Sequence, residues 1–364
     1  MWRIGGIGVG IGVGWNIAVL GPIATRLSHV YGVSLAVVGA FVTVQFVMHM
    51  LMQVPGGRAA DRWGARTSAL LGMAIVVAGN AISLPAPQPA LAFIGRAVVG
   101  IGTGFAFVGG SDYIRVRGGG PLLQGMYGGG SVLAPGIAVA VVPVLAGWRA
   151  GYVSAIAVCA ACAVLLALAP ATQRSVRHAG ERLDLGFFRD RSLYRLAAIH
   201  AMSFGFSVVV GNWVVTLLEH HGHGKGVASA AGSLTLLLGF FTRIGGGWLL
   251  RRADARTWIA LSLVVGGIGC VLLALPLPIA VLVVSAAIVG LAAGVPFAKA
   301  FTGAALARPD APGAAVGFVN AWASLVIVAG APLVGLTFSL PGDGRIGFVV
   351  LGILTALAAL ATPR

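Results

Sequence analysis

The chain has 364 residues, of which 58% are hydrophobic and only 9% charged, with a mean hydropathy of +0.98. Soluble domains carry about 25% charged residues, so this composition belongs to an integral membrane protein. The net charge of +15 would suggest nucleic acid in a soluble chain, but there is no exposed domain with basic patches and interleaved aromatics to bind it.

A membrane-crossing helix needs about 20 apolar residues, and the Gly, Pro and Arg punctuation leaves room for about twelve spans with short loops. Span one covers roughly 4–25 and carries Asn16 beside Trp15. Trp2-Arg3 enters it at once with no convincing cleavage site, so a retained helix is expected. Span two, roughly 35–55, carries Gln45, His49 and Gln53. A charged turn follows, Pro55-Gly56-Gly57-Arg58-Ala59-Ala60-Asp61-Arg62-Trp63-Gly64-Ala65-Arg66. Its glycines let two helix ends approach and turn within a few residues, and Asp61 stands where the third helix begins, a place that favours negative charge.

The Gly-x-x-x-Asp-Arg-x-Gly-x-Arg spacing of this turn resembles the signature of the major facilitator superfamily of secondary transporters, in the loop joining their second and third helices. Gly57, Asp61, Arg62, Gly64 and Arg66 match. Ala59 and Ala65 stand where the family often has Leu and a further basic residue. The resemblance implies an all-α integral membrane fold of about twelve transmembrane helices in two six-helix pseudo-repeat halves.

Span three, roughly 67–84, ends at Pro85-Ala86-Pro87. Span four, roughly 89–112, holds Arg96 followed by Gly100, Gly102 and Gly104. The run 95–102 resembles the superfamily's fourth-helix motif, whose arginine is implicated in coupling or substrate binding. Asp112 closes this span, and the resemblance implies a pairing of Asp112 with Arg62 or Arg66. Span five, roughly 122–146, contains Gly128-Gly129-Gly130 and Ala134-Pro135-Gly136, which departs from the family's antiporter motif, so antiport does not follow. Span six begins after Gly147-Trp148-Arg149 and ends near Pro170. Residues 171–193 form a basic linker between halves 1–170 and 194–364. Spans seven to twelve fall at roughly 195–218, 227–250, 257–276, 278–303, 313–336 and 344–361.

An internal repeat supports two halves. Residues 52–67 align with 242–257, with Gly56/Gly246, Gly57/Gly247, Arg62/Arg252, Ala65/Ala255, Arg66/Arg256 and Thr67/Thr257 identical. At the same offset Gly100, Gly104 and Phe107 meet Gly290, Gly294 and Phe297. Asp61 meets Arg251, so the second half keeps the loop without its acid.

With the first loop outside, 17 of the 24 Lys and Arg fall on the inner side and four outside, which places both termini in the cytoplasm and the chain in the plasma membrane. Cys159, Cys162 and Cys270 lie in spans, so no disulfide and no metal or other cofactor is expected. In the loop His220-His221-Gly222-His223, three histidines without a carboxylate read as solvated.

All nine acids lie in loops or near span ends, leaving His49 and His200 as the only groups within spans that could carry a proton at ordinary pH, or else as packing residues held by hydrogen bonds. The charges within spans are Arg96, Arg243 and Lys299, all positive, which favours a polar or anionic solute over a cationic one. Arg243 and Lys299 either face the cavity or reach back to the inner interface. Asn16, Gln45, Asn212 and Asn320 either orient a substrate or join helices, and Lys299 and His49 complete the candidate binding or coupling set. The candidate gate is Gly57, Asp61, Arg62, Gly64, Arg66, Asp112, Arg252 and Arg256, with Asp61 set against the N-terminus of span eleven.

The expected activity is alternating-access transport of a small solute, with a co- or counter-transported proton as a further partner, by a monomer in the lipid bilayer. Proton-driven efflux of amphiphilic compounds and a non-transporting receptor on a carrier fold remain open. A channel filter, a nucleophile with its base, or an acid pair is not found within the spans, so neither a channel nor an enzyme is expected.

Overall fold

The computed structural model describes residues 1–171, 186–249 and 254–363, and these hold sixteen α-helices and no strand. The expected linker 171–193 lies largely, and Arg252 wholly, outside the described residues. The first half is α1 (Trp2–Ala18), α2 (Ala24–Tyr31), α3 (Leu35–Leu51), α4 (Gln53–Trp63), α5 (Ala65–Ile82), α6 (Pro89–Val116), α7 (Pro121–Val141) and α8 (Ala150–Ala167). The second is α9 (Arg191–His200), α10 (Phe206–His220), α11 (Lys225–Leu249), α12 (Ala255–Leu273), α13 (Ile279–Gly294), α14 (Phe297–Ala307), α15 (Pro312–Thr337) and α16 (Arg345–Ala358). A single π-helical turn, Ala201–Gly205, joins α9 to α10.

Local chemistry sets the boundaries. Ser34, Asp190 and Asp254 accept backbone N–H bonds at the starts of α3, α9 and α12, and proline occupies the first turn of α6, α7 and α15. Gly64 joins α4 to α5 at φ +92°, a backbone conformation that a side chain would strain.

Ten helical stretches are long and apolar enough to cross a membrane, and the bent pair 36–51 and 53–63, angled at 46°, makes an eleventh. The expected second span thus continues past residue 55 through the charged turn, which is helical up to Trp63. The twelfth expected span corresponds to Arg345–Ala361, shorter than the others, so the count of twelve rests on that segment.

Buried apolar side chains gather in three clusters. One joins both halves, with Phe107 and Tyr127 beside Phe297 and Phe301, and it lies toward the end carrying the 58–66 turn. Another is confined to the first half around Tyr31, Phe41 and Tyr152, and the third to the second half around Phe206, Leu273 and Phe348. The molecule is therefore sealed across its two halves at one end and separately packed toward the other.

Candidate functional site

The seal is built from backbone laid on backbone. α4 packs against α15 and α7 against α11, and glycines stand at both crossings. A Cβ on Gly57 would collide with the Gly313 carbonyl, and one on Gly317 with the Gln53 carbonyl. Across the other crossing, a Cβ on Gly247 would strike the Pro121 carbonyl and one on Gly125 the Arg243 carbonyl. Gln53 and Arg243, like Gly57 and Gly247, are equivalent positions of the internal repeat, so one motif builds both crossings.

Asp61 is fully buried and reaches from α4 to the first turn of α15, where its carboxylate accepts from Gly313 N at 2.8 Å and Ala314 N at 3.2 Å. The residue at the N-cap of α15, Ala311, offers no side-chain acceptor, so the cap comes from the other half. Arg308 donates to Asp310 at 2.9 and 2.6 Å, fixing the loop that presents this terminus and holding the Asp310 carboxyl below the usual range.

Asp112 does not pair with Arg62 or Arg66. Its partner is Arg115, one turn along the same helix, at 2.6 Å. Arg66 instead donates to the Leu166 carbonyl at 3.1 Å and to that of Ala167, orphan acceptors at the end of α8. Arg62 and Arg256 are exposed. Arg66 thus ties helices of one half together. Arg66→Ala is expected to lower the melting temperature through the loss of charge-assisted bonds to backbone, worth about 1.5–3 kcal/mol, and thermal unfolding checks it.

The candidate binding residues separate into three groups. Asn16, buried, accepts from Asn80 Nδ2 at 2.9 Å, and its carbonyl accepts from Arg96 Nη2 at 2.8 Å. Arg96 is 1% exposed and enclosed within the first half, with Nε and Nη1 unpartnered among the described residues. His49 meets Thr103 at 3.0 Å and Gln53. Thr103 gives its own proton to the Gly100 carbonyl, so His49 Nδ1 donates and its Nε2 accepts from Gln53. His200 donates through Nε2 to Asn320 Oδ1 at 3.1 Å, leaving Nδ1 without a partner among the described residues. Gln45 is buried with an unpartnered Oε1, Asn212 is exposed, and Lys299 is half-buried. None of these residues lines the cleft beside Arg243.

The residue that sequence reading left open, Arg243, is one that joins the halves. It is 2% exposed, so it does not reach back to an interface. Its Nη1 donates across the halves to Gly128 O at 2.7 Å and Ser131 Oγ at 3.2 Å, and the rings of Phe204 and Phe297 lie 4.4 and 4.6 Å from its guanidinium carbon. The π-helical turn brings Phe204 there. Arg243 also lines a cleft between α7, α10, α11 and α13 with Val132, Ser207 and Thr235. The pairing of Arg243 with Gln53 in the repeat was the available signal.

The sequence profile of the Major Facilitator Superfamily matches residues 7–304. No curated protein matches the sequence. Among solved structures, the E. coli fucose:proton symporter FucP is similar at a TM-score of 0.80 and 13% identity, covering 99% of this chain and 97% of its own. The human organic anion transporter TETRAN gives 0.79 and 14%, covering 100% and 99%, and the proton:xylose symporter XylE 0.79 and 14%, covering 99% and 94%.

Proposed function

The chain belongs to the Major Facilitator Superfamily of secondary transporters and crosses the membrane several times, and from that premise we propose that it carries a small polar or anionic solute by alternating access. Two bodies, 1–170 and 194–364, rock about a central site, joined by the 171–193 linker. The 58–66 end faces the cytoplasm, as do both termini, and the protein works as a monomer in the plasma membrane.

One observation carries this reading. Among the described residues, every hydrogen bond between the halves lies at the end with the 58–66 turn, in the Asp61 and Arg243 contacts. At the far end the corresponding bonds stay within one half: Arg26 and Arg149 hold loops of the first, and in the second Trp213 joins α10 to α15 while Arg345 donates to His221. That is the asymmetry of a carrier shut to one side of the membrane.

Arg96 and Arg243 are buried with no carboxylate partner among the described residues, whereas the buried acids Asp61 and Asp112 lie near the ends of α4 and α6 and already have partners, which supports an anionic or electron-rich solute. Asn16, Gln45, His49, Asn320 and Lys299 are secondary groups around the path, and His49 and His200 are the sites for a coupled proton. A thermal-shift screen of the purified protein against small anions, sugars, amino acids and lipophilic cations tests the class, because a ligand of the folded state raises its melting temperature. Stabilisation by anions, with uptake of the same anions into proteoliposomes, is expected. Stabilisation by lipophilic cations alone would move the protein to drug efflux, and binding without uptake would make it a receptor.

A further inference from the structure

We propose that His49 and Gln53 form one proton-sensing pair across the break between α3 and α4, in which Gln53 passes the charge of the imidazole to the inner seal; this deepens, and rests on, the alternating-access reading above. The break has a local cause. Pro55 lacks the N–H that would bond the Leu51 carbonyl, and the two helices meet around Met52 at an angle of 46°. The bond from Gln53 Nε2 to His49 Nε2 spans that break from the first turn of α4 to the last turn of α3.

The pair sits between two contacts that join the halves. On one side, the Gln53 carbonyl packs so closely on α15 that a Cβ on Gly317 would overlap it, and further along α4 Asp61 caps the same helix. On the other side are aromatic rings. Phe46 and Phe107 stand 6.5 and 6.1 Å from the imidazole, and Phe107 meets Phe301 of the second half at 5.8 Å.

The neutral imidazole fits this place. Its Nδ1 donates to Thr103 and its Nε2 accepts from Gln53, while Gln53 Oε1 is buried without a partner among the described residues. A second proton turns Nε2 into a donor facing a donor, and the bond across the break is lost unless the amide turns over to offer Oε1. That turn restores a hydrogen bond but supplies no counter-charge. The ionisable groups on the surrounding helices stand elsewhere: Arg96 of α6 bonds Asn16 and Asp112 pairs with Arg115, Arg58, Asp61 and Arg62 lie further along α4, and Arg26 and His29 of α2 lie at the outer end. None lies on α15. An imidazolium is therefore uncompensated among the rings until the halves part and water reaches it. The opened form binds the proton more tightly than the sealed form, so acid favours opening.

The experiment uses the full chain in nanodiscs, with the proton itself as probe. Spin labels at the exposed positions Arg117→Cys and Thr257→Cys report the distance across the seal, the native cysteines being buried and unlabelled. Lowering the pH from about 8 to about 5, the interval in which histidine changes charge, is expected to populate a longer distance. For one proton the ratio of open to sealed forms rises by up to about tenfold per pH unit. His49→Gln, which forms hydrogen bonds without titrating, keeps the short distance throughout. Gln53→Glu sets the missing counter-charge beside the imidazolium, so it also loses the response, and it decides the matter if the His49 variant does not fold. A purely structural Gln53 would leave the pH profile in place. A response undiminished in either variant belongs to His200 or Asp61 and overturns the pair, as does a wild-type distance that does not change with pH. The variant Asp61→Asn separates the two readings. If it lengthens the distance while pH has no effect on the wild type, alternating access stands and the pair falls; if neither moves the labels, both fall.

Discussion

Asp61→Asn is expected to abolish net transport while the protein still folds and inserts. The carboxylate is fully buried and accepts two backbone N–H bonds at the start of α15, where the helix dipole adds attraction for a negative charge. Asparagine occupies the same volume and keeps one acceptor, but its amide places two donors against a terminus that already presents donors. Hydrogen bonds to charged groups contribute about 1.5–3 kcal/mol, which is roughly a 10- to 150-fold change in the population of the sealed state. The loss falls on the contact between halves and not on either half alone, so the melting temperature should move little. A carrier that cannot seal its inner side still binds solute but cannot complete the cycle. The measurements are uptake into proteoliposomes and labelling of a cysteine beside Gly313 in the gap. Uptake equal to wild type, with no rise in labelling, would remove Asp61 from the gate.

The parts of this site visible in the sequence were those fixed by the backbone. Gly57, Asp61 and Gly64 stand where only a glycine or an acid satisfies a local demand: a close crossing, a helix start and a positive φ. Asp61 nevertheless stands near the end of α4 and not at the start of the third helix as expected, because the charged stretch stays helical to Trp63. Its contact with span eleven was implied by the family resemblance and not by the spacing. The side-chain pairings were less legible. Asp112 had arginines available on its own helix and on the preceding loop, and the choice of Arg115 depended on Arg66 being taken by the α8 carbonyls, a contact 100 residues away in sequence. Arg243 was ambiguous for a similar reason. An arginine near a helix end either reaches water or is buried, and the aromatic pair that encloses it comes from a π-helical turn and a separate helix, neither marked by periodicity. The length of the last helix was the remaining departure, since apolar composition alone does not show where Arg345–Ala361 begins to turn.

The internal repeat yields the second large effect, because it makes Gly57 and Gly247 the same position in two crossings. Gly57→Ala should drive the protein out of the sealed state at the α4–α15 crossing, and Gly247→Ala should do the same at α7–α11. In each case the added methyl meets main chain, Gly313 or Pro121, which has no flexible end to move aside. Overpacking of this kind costs about 1–3 kcal/mol, enough to shift a two-state balance roughly 5- to 150-fold. The cost arises only when the halves are closed, so the variants open the gate without unfolding either half. Gly245→Ala is the internal control: it lies two residues from Gly247 on the same helix with nothing within 4 Å of its Cβ position. There the substitution should be neutral or slightly stabilising, as alanine favours a helix over glycine by about 0.5–1 kcal/mol. Spin-label distances across each crossing decide the matter. Opening in Gly57→Ala and Gly247→Ala but not in Gly245→Ala would establish the two crossings as one repeated hinge surface, whereas equal behaviour of all three would assign the glycines to helix packing alone.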